Sequence, residues 1–209
     1  MYPLFESVCI ENGKIQNAHY HESRFKSSFY AFFGFEPNYS LFDKVILPRI
    51  DKSLKCKLRI EYNQIGTKWT ISEYLKTIPS SLLMLKDDEI EYRLKYADRK
   101  NLNHLYKQKA NFVDIQVVKD GKDVLIIKNG FITDATYSNI LFTDGQKIIT
   151  PSTPLLNGTC RTRLLSDEII TEAAIKADSI HFFVSFQLIN ALNDFDKNRW
   201  VPIQNITTA

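Results

Sequence analysis

Residues 151–163 carry the clearest arrangement of groups that could bind an anion. They read Pro-Ser-Thr-Pro-Leu-Leu-Asn-Gly-Thr-Cys-Arg-Thr-Arg, which predicts a loop and then a helix that begins just after Gly158. The backbone N–H groups of Thr159, Cys160 and Arg161 then lie in the first helical turn, where no carbonyl of the helix accepts from them. Together with the helix dipole they form an anion site that needs one glycine. An ordinary helix start, capped by the neighbouring asparagine or threonine, explains the same residues and is the simpler interpretation on physics alone.

Glycine usage limits which kind of phosphate site is possible. The chain has 209 residues and seven glycines, roughly half the average usage of about 7%. Gly121 and Gly130 are the closest pair in sequence. This spacing excludes both the dinucleotide-binding pattern G-x-G-x-x-G and the P-loop pattern G-x-x-x-x-G-K-[ST]. A phosphate group would have to be held without a glycine-rich loop.

Histidine, cysteine and charge usage exclude other classes of protein. The four histidines show no metal-ligand spacing, and the three cysteines form neither a zinc pattern nor a disulfide framework. We therefore expect no metal, and reduced thiols in a cytoplasmic protein. The net charge of +3 comes from interspersed charges, which does not favour nucleic acid. The sequence has no apolar run of about 18 residues and no signal-peptide pattern at its start, so we expect no membrane segment.

Hydrophobic periodicity in the first half predicts a sheet and a helix. The helix shows four phenylalanines with helical spacing, from Phe25 to Phe33, and Gly34 as its stop. Asn12-Gly13 after the first apolar run is a strong hairpin signal. The predicted elements are a strand at 4–10, a helix at 20–33, a short helix at 41–46, and strands at 57–62 and 68–74.

The second half is richer in strand signals. The predicted elements are helices at 101–112 and 161–174, and strands at 124–127, 131–133, 140–142, 147–150 and 179–184. Asn129-Gly130 and Asp144-Gly145 mark tight turns between four of these strands. The pattern predicts an α+β fold in two lobes, a small N-terminal lobe at 1–90 and a larger C-terminal lobe at 91–209.

A second segment changes the interpretation of the helix start. Residues 130–142 read Gly-Phe-Ile-Thr-Asp-Ala-Thr-Tyr-Ser-Asn-Ile-Leu-Phe, and Thr150-Pro151 and Gly158-x-x-Arg161 follow in order. Together they resemble the signature of class IV aminotransferases, the fold-type IV pyridoxal-phosphate (PLP) enzymes. That family includes D-amino-acid and branched-chain aminotransferases and 4-amino-4-deoxychorismate lyase. The resemblance implies their two-lobed fold, PLP as cofactor and a homodimer.

Two earlier segments are similar to the same family. Lys100-Asn-Leu-Asn103 looks like its K-x-L-N stretch, and the run from Phe5 to Gly13, followed by His21-Glu-Ser-Arg24-Phe25, looks like its opening strand, hairpin and helix start. The resemblance extends from about residue 4 to 185. It implies that Lys100 forms the Schiff base with PLP and is the general acid/base, which requires a pKa lowered by desolvation or cationic neighbours.

The resemblance also assigns the groups around the cofactor. Asp134 would face the pyridine nitrogen, although the family usually has the longer glutamate there. Arg24 would pair with the phosphate, and Gly158, Thr159 and Cys160 would donate backbone N–H groups to it. Cys160 stands where the family usually has threonine. Thr136 lies in a turn that often contributes nearby.

Substrate contacts are less specific in the sequence. Arg59, on the polar face of its strand, is a candidate for binding a substrate carboxylate, and pairing with a neighbouring acid explains it equally well. Phe5 occupies the aromatic position of the opening strand but lacks the hydroxyl of many relatives.

Three functions stay open, and the first is preferred. The first is 4-amino-4-deoxychorismate lyase activity, which eliminates pyruvate to give 4-aminobenzoate for folate biosynthesis. The second is transamination of a D-amino acid or branched-chain amino acid. The third is a degenerate, non-catalytic homologue, which Asp134, Cys160 and the lack of the family's usual segment before Phe5 motivate. In the first two, the partner is a small substrate that carries an amino group and a carboxylate.

Overall fold

The computed structural model describes residues 1–75, 78–100 and 121–208. The fold is α+β and rich in strands, and the chain divides into two compact units. The first unit holds Met1–Leu75 and Leu94–Asp98, and the second holds Lys76–Arg93 and Arg99–Ala209. Residues 78–90, which the sequence assigned to the N-terminal lobe, thus cluster with the second unit, and the predicted lobe boundary stays a prediction.

The first unit is an antiparallel sheet with a helix. Its elements are β1 (Leu4–Glu11), β2 (Lys14–Ile15), α1 (Ala18–Phe33), β3 (Cys56–Asn63) and β4 (Gly66–Glu73), and the strand order is β2-β1-β3-β4. Asn12 and Gly13 have φ values of 54° and 71°, which are the left-handed values that a tight type I′ hairpin turn requires. Alternate residues of β3 are buried, so one face of this sheet forms the core of the unit.

Helix α1 covers that apolar face. Phe25 and Phe29 are fully buried in the core, whereas Phe32 is 41% exposed, so the predicted four-phenylalanine stripe is only partly buried. Gly34 ends the helix in a left-handed conformation and donates its N–H to Tyr30 O, as predicted.

The second unit contains two sheets. Its strands are β5 (Ser81–Lys86), β6 (Lys122–Lys128), β7 (Phe131–Ala135), β8 (Asn139–Thr143), β9 (Ile148–Pro151), β10 (Thr171–Ala173), β11 (Ser185–Ile189), β12 (Val201–Pro202) and β13 (Ile206–Thr208). Among the residues of this unit that the structure describes from 121 onwards, the helices are α2 (Thr159–Ser166) and two 3-10 segments, Ala177–Phe182 and Ile203–Asn205. The sheet orders are β13-β5-β6-β7 and β10-β9-β8-β11-β12. The strands predicted from 124 to 150 are therefore confirmed.

Three predicted elements are wrong. The short helix at 41–46 is a series of turns over residues 41–44. The helix at 161–174 is only α2, because Glu168 adopts a left-handed φ of 56° and the chain then forms β10. Residues 179–182, predicted as a strand, belong to a 3-10 helix, and the strand β11 begins only at Ser185. The predicted helix at 101–112 lies outside the described residues.

Candidate functional site

Asp134, on β7, is a buried carboxylate whose two oxygens are both hydrogen-bonded. Its side chain is 5% exposed. Oδ1 accepts from Asn139 Nδ2 at 2.7 Å, and Oδ2 accepts from the Leu156 N–H at 2.9 Å. Burial raises the pKa of Asp134 to about 6, against the opposing effect of these hydrogen bonds. The hydrogen bonds thus hold the carboxylate in place, and it is mostly ionised at pH 7.

Asn139, the first residue of β8, connects this acid to the start of α2. Its Nδ2 also donates to Leu156 O at 3.0 Å. Its Oδ1 lies 2.0 Å from where a Cβ on Gly158 would stand. Gly158 has an extended backbone, with φ −71° and ψ 140°, so steric contact rather than conformation requires the glycine. Asn139 belongs to the segment at 130–142 that resembles the family signature, five residues after the acid, but the sequence assigned it no role.

The first turn of α2 follows directly. Gly158 is the N-cap and has no side chain that could accept from the N–H groups of the turn. Thr159 and Cys160 are buried. The Cys160 thiol donates to Asp194 Oδ1 at 3.2 Å, and burial raises its pKa to about 12, so it stays protonated. The Cys160 side chain therefore contacts Asp194, and the group through which Cys160 could bind an anion at this helix start is its backbone N–H.

Arg161 fastens the loop between β9 and α2. It is 3% exposed, its Nη1 donates to Asn157 Oδ1 at 2.9 Å, and its Nη2 donates to Pro151 O at 2.9 Å. The same Nη2 forms an ion pair with Glu172 on β10. This arginine joins both ends of the loop, a structural role that its position in Gly158-x-x-Arg161 did not reveal.

Thr136 belongs to a neighbouring buried cluster in the same unit. Its hydroxyl donates to the Asp123 carboxylate, which is 3% exposed and whose pKa burial raises to about 6. The Thr136 carbonyl accepts from Arg99 Nη2 at 2.8 Å, and the Arg99 guanidinium lies 3.9 Å from the centroid of the Tyr137 ring. Sequence reasoning missed Asp123 and Arg99.

Lys100 directly follows Arg99 in the second unit. Its side chain is exposed. Lys100 keeps a cationic neighbour in the chain, and its role stays a prediction.

Arg24 lies in the first unit, where it pairs with a buried acid. Its Nε donates to Glu6 Oε1 at 2.8 Å and its Nη2 to Glu6 Oε2 at 2.5 Å, while His21 Nδ1 lies 2.7 Å from Oε2. Burial opposes the ionisation of Glu6, but the charge of Arg24 and the hydrogen bond with His21 outweigh it and lower the pKa to about 2. Burial also lowers the pKa of His21, so the imidazole is neutral at pH 7 and its Nδ1 donates.

Phe5 and Arg59 contact each other on the opposite face of the same sheet. The Arg59 guanidinium lies 3.8 Å from the centroid of the Phe5 ring, and Phe5 is 4% exposed. Arg59 Nη2 also donates to Glu61 Oε1 at 2.8 Å. Pairing with an acid, one of the two interpretations of Arg59, is thus present, with a partner on its own strand. Its contact with substrate stays a prediction.

The described residues contain neither a metal-ligand cluster nor a helix suited to crossing a membrane. Within residues 1–75, 78–100 and 121–208, no group of three or more histidine, cysteine or acidic side chains could hold a metal ion. Over the same residues, no helix combines the length and the apolar character that a membrane crossing requires.

The predicted site residues thus fall into two sets. The second unit contains Lys100, Asp134, Thr136, Gly158, Thr159 and Cys160, and the first contains Phe5, Arg24 and Arg59. Within the second unit, Asn139 brings Asp134 and Gly158 together. A buried, hydrogen-bonded acid therefore lies beside a helix start whose N-cap is a glycine in close contact with Asn139.

A comparison with protein families identifies the class of protein to which this fold and this site belong. The chain belongs to the amino-transferase class IV family, whose model matches residues 3–206. The family resemblance read from the sequence is therefore confirmed, and family membership supports an enzyme.

Particular relatives cover nearly the whole chain. An uncharacterized protein of Haemophilus influenzae Rd is 38% identical over 195 residues, which is 92% of this chain and 99% of that protein. A crystal structure from Haemophilus somnus 129PT, provisionally named a 4-amino-4-deoxychorismate lyase, is 29% identical, with a TM-score of 0.76 over 93% of this chain and 98% of that one. A provisionally named amino-acid aminotransferase of Mesorhizobium loti has a TM-score of 0.68 at 19% identity over 99% of both chains, which shows the fold alone.

Proposed function

We propose that this chain is a PLP-dependent 4-amino-4-deoxychorismate lyase, which releases pyruvate and forms 4-aminobenzoate. The observation that carries the proposal is the arrangement of Asp134, Asn139 and Gly158 at the start of α2. The choice of reaction is supported by the similar Haemophilus somnus protein, which bears that provisional name.

The residues present fit the cofactor. A carboxylate has about four lone-pair positions, so Asp134 can accept a further N–H besides those from Asn139 and Leu156. Its pKa of about 6 leaves it ionised at pH 7, and a cationic ring nitrogen beside it lowers that pKa further. The glycine-capped start of α2 supplies N–H groups and a favourable dipole for a phosphate. When bound, PLP supplies an electron sink for the carbon that loses its proton.

The chain's own residues would divide the work as the family resemblance implies. Lys100 would hold the cofactor through Nζ and would serve as the base for the proton on the substrate α-carbon. Asp134 would keep the ring nitrogen protonated, and the N–H groups of Gly158, Thr159 and Cys160 would bind the phosphate. The resemblance also assigns Arg24 to the phosphate. Thr136 shapes the turn beside Asp134. Phe5 and Arg59 contact the substrate, with Arg59 binding a carboxylate.

Transamination is the competing activity, because the family takes its name from it. An assay with aminodeoxychorismate and with a panel of amino acids plus 2-oxoglutarate separates the two reactions. We expect release of 4-aminobenzoate and pyruvate that does not depend on a 2-oxo acid. Turnover of an amino acid that requires 2-oxoglutarate, without release of 4-aminobenzoate, would replace the lyase by an aminotransferase.

We propose that the chain forms a homodimer, as the family resemblance implies. Analytical ultracentrifugation at micromolar concentration tests it, and sedimentation as a monomer would contradict it.

A further inference from the structure

The carboxylate of Glu6 has no role in the site as described so far. It lies on β1, on the face that α1 covers, and it is 0% exposed. A buried carboxylate is costly unless it is paired and hydrogen-bonded. Glu6 meets this requirement with two residues of α1, because Arg24 and His21 both donate to it.

The pairing gives Arg24 a fixed orientation. Glu6 accepts from Nε and Nη2, which are neighbours on one edge of the planar guanidinium. A guanidinium has five N–H donors in one rigid plane, so holding one edge determines where the remaining donors are directed. Arg24 is 12% exposed and Glu6 is 0% exposed, which places the arginine on the outer side of the pair.

His21 completes the support of Glu6. It is 1% exposed and its Nδ1 lies 2.7 Å from Glu6 Oε2, the oxygen that also accepts from Arg24 Nη2. Because the imidazole is neutral at pH 7, the group of three has one negative and one positive charge. The cluster can therefore stay buried without further counter-ions.

We propose that Glu6, supported by His21, is a positioning residue that presents Arg24 to the 5′-phosphate of PLP. The proposal rests on the proposed function, in which Arg24 binds that phosphate. A long arginine side chain that must be ordered on binding costs conformational entropy, and a pre-oriented one does not. Glu6 is thus expected to strengthen the affinity for the phosphate without touching the cofactor.

This role predicts a selective effect, because pyridoxal differs from PLP only by the absence of the phosphate. The dissociation constants of PLP and pyridoxal are measured by absorbance for the native protein, for Glu6→Gln and for Glu11→Gln. Glu11 is the matched control, since it lies on the same strand, is half-exposed and pairs with Lys55. We expect Glu6→Gln to weaken PLP binding about tenfold or more, as the loss of a charge-assisted contact does. Pyridoxal affinity should stay unchanged, and so should both affinities of Glu11→Gln.

A double-mutant comparison tests whether Glu6 acts through Arg24. In an Arg24→Gln background, Glu6→Gln should have no further effect on the ratio of the two dissociation constants. If Glu6→Gln does not fold, as judged by circular dichroism, Glu6→Asp takes its place with the same criterion. Equal weakening of both ligands, no change in their ratio, or tighter PLP binding would overturn the proposal. If the native protein itself forms no PLP adduct on Lys100, the proposed function fails instead, so the two failures are distinguishable.

Discussion

The Asn139 side-chain oxygen lies 2.0 Å from the point where a Cβ on Gly158 would stand. The same asparagine donates to Asp134 at 2.7 Å, so one side chain contacts both the buried acid and the start of α2. Glycine is therefore needed at 158 to let a neighbouring side chain approach, and the backbone there is ordinary extended chain. This relationship ties the two halves of the proposed cofactor site to each other.

Replacing Gly158 by alanine should force Asn139 to move. We expect Gly158→Ala to lower the free energy of unfolding by about 1–3 kcal/mol, as overpacking does, and to weaken PLP binding. In an Asn139→Ala background the clash is gone, so the stability cost of Gly158→Ala should largely disappear. Urea unfolding of the four proteins measures this. Equal costs in both backgrounds would show that Asn139 is not the reason for the glycine.

Arg161 should stabilise the loop before α2 more than a surface arginine does. Lysine cannot reproduce its contacts with Asn157, Pro151 and Glu172, because an ammonium lacks the planar fork. We expect Arg161→Lys to cost about 2–3 kcal/mol of unfolding free energy. Arg163→Lys is the control, because Arg163 lies on the same helix and pairs with two exposed acids, Asp167 and Asp194. It should cost less than about 1 kcal/mol. Similar costs for the two variants would contradict the role of Arg161.

Ionisation of Glu6 should account for much of the change in the free energy of unfolding at acidic pH. Its pKa is lowered from 4.5 to about 2 on folding, so its contribution is present above pH 4.5 and is lost as the pH falls towards 2. At about 1.4 kcal/mol per pKa unit, the contribution is about 3 kcal/mol. Glu6→Gln should flatten the curve of unfolding free energy in this range, and Glu11→Gln should not. A native slope in Glu6→Gln would rule out the ionised buried pair.

Asp134 should change the pH dependence of stability in the opposite direction, because folding raises its pKa. Its pKa is raised from 3.8 to about 6 in the folded protein without cofactor. The contribution to stability is therefore fully present below pH 3.8 and is lost as the pH rises to about 6. The free energy of unfolding, measured between pH 4 and 7, should fall less steeply for Asp134→Asn than for the native protein. Asp167→Asn, at an exposed position, is the control and should keep the native slope.

Local patterns predicted much of the fold because local physics determines those parts. The alternation in Lys57–Tyr62 and the Asn12-Gly13 turn each specify a structure within a few residues, and both are confirmed. The helix predicted at 161–174 failed because the apolar residues after α2 continue its period. The chain nevertheless turns at Glu168, whose left-handed φ sequence periodicity does not reveal.

The candidate site was predictable only where a residue matched a family pattern. Asp134 and Gly158 were found in this way, and the structure brings them together through Asn139. Glu6 lies in the segment that resembles the family's opening, but the sequence assigned it no role, and Asp123 and Arg99 were missed. The importance of all three comes from tertiary partners distant in sequence. Glu6 and Arg24, for example, are 18 positions apart. A single sequence shows that an acid is present, but burial and pairing appear only after folding.

The most direct test of the account is covalent trapping of the cofactor on its lysine. The native protein is incubated with PLP, its visible spectrum is recorded, and the mixture is reduced with borohydride and mapped by mass spectrometry. Lys147→Ala, which replaces an exposed lysine, is the matched control for Lys100→Ala. We expect the native protein and Lys147→Ala to be yellow and to carry one phosphopyridoxyl group on Lys100, and Lys100→Ala to lose both colour and turnover. A native protein with no adduct on Lys100, or turnover retained by Lys100→Ala, would contradict the account.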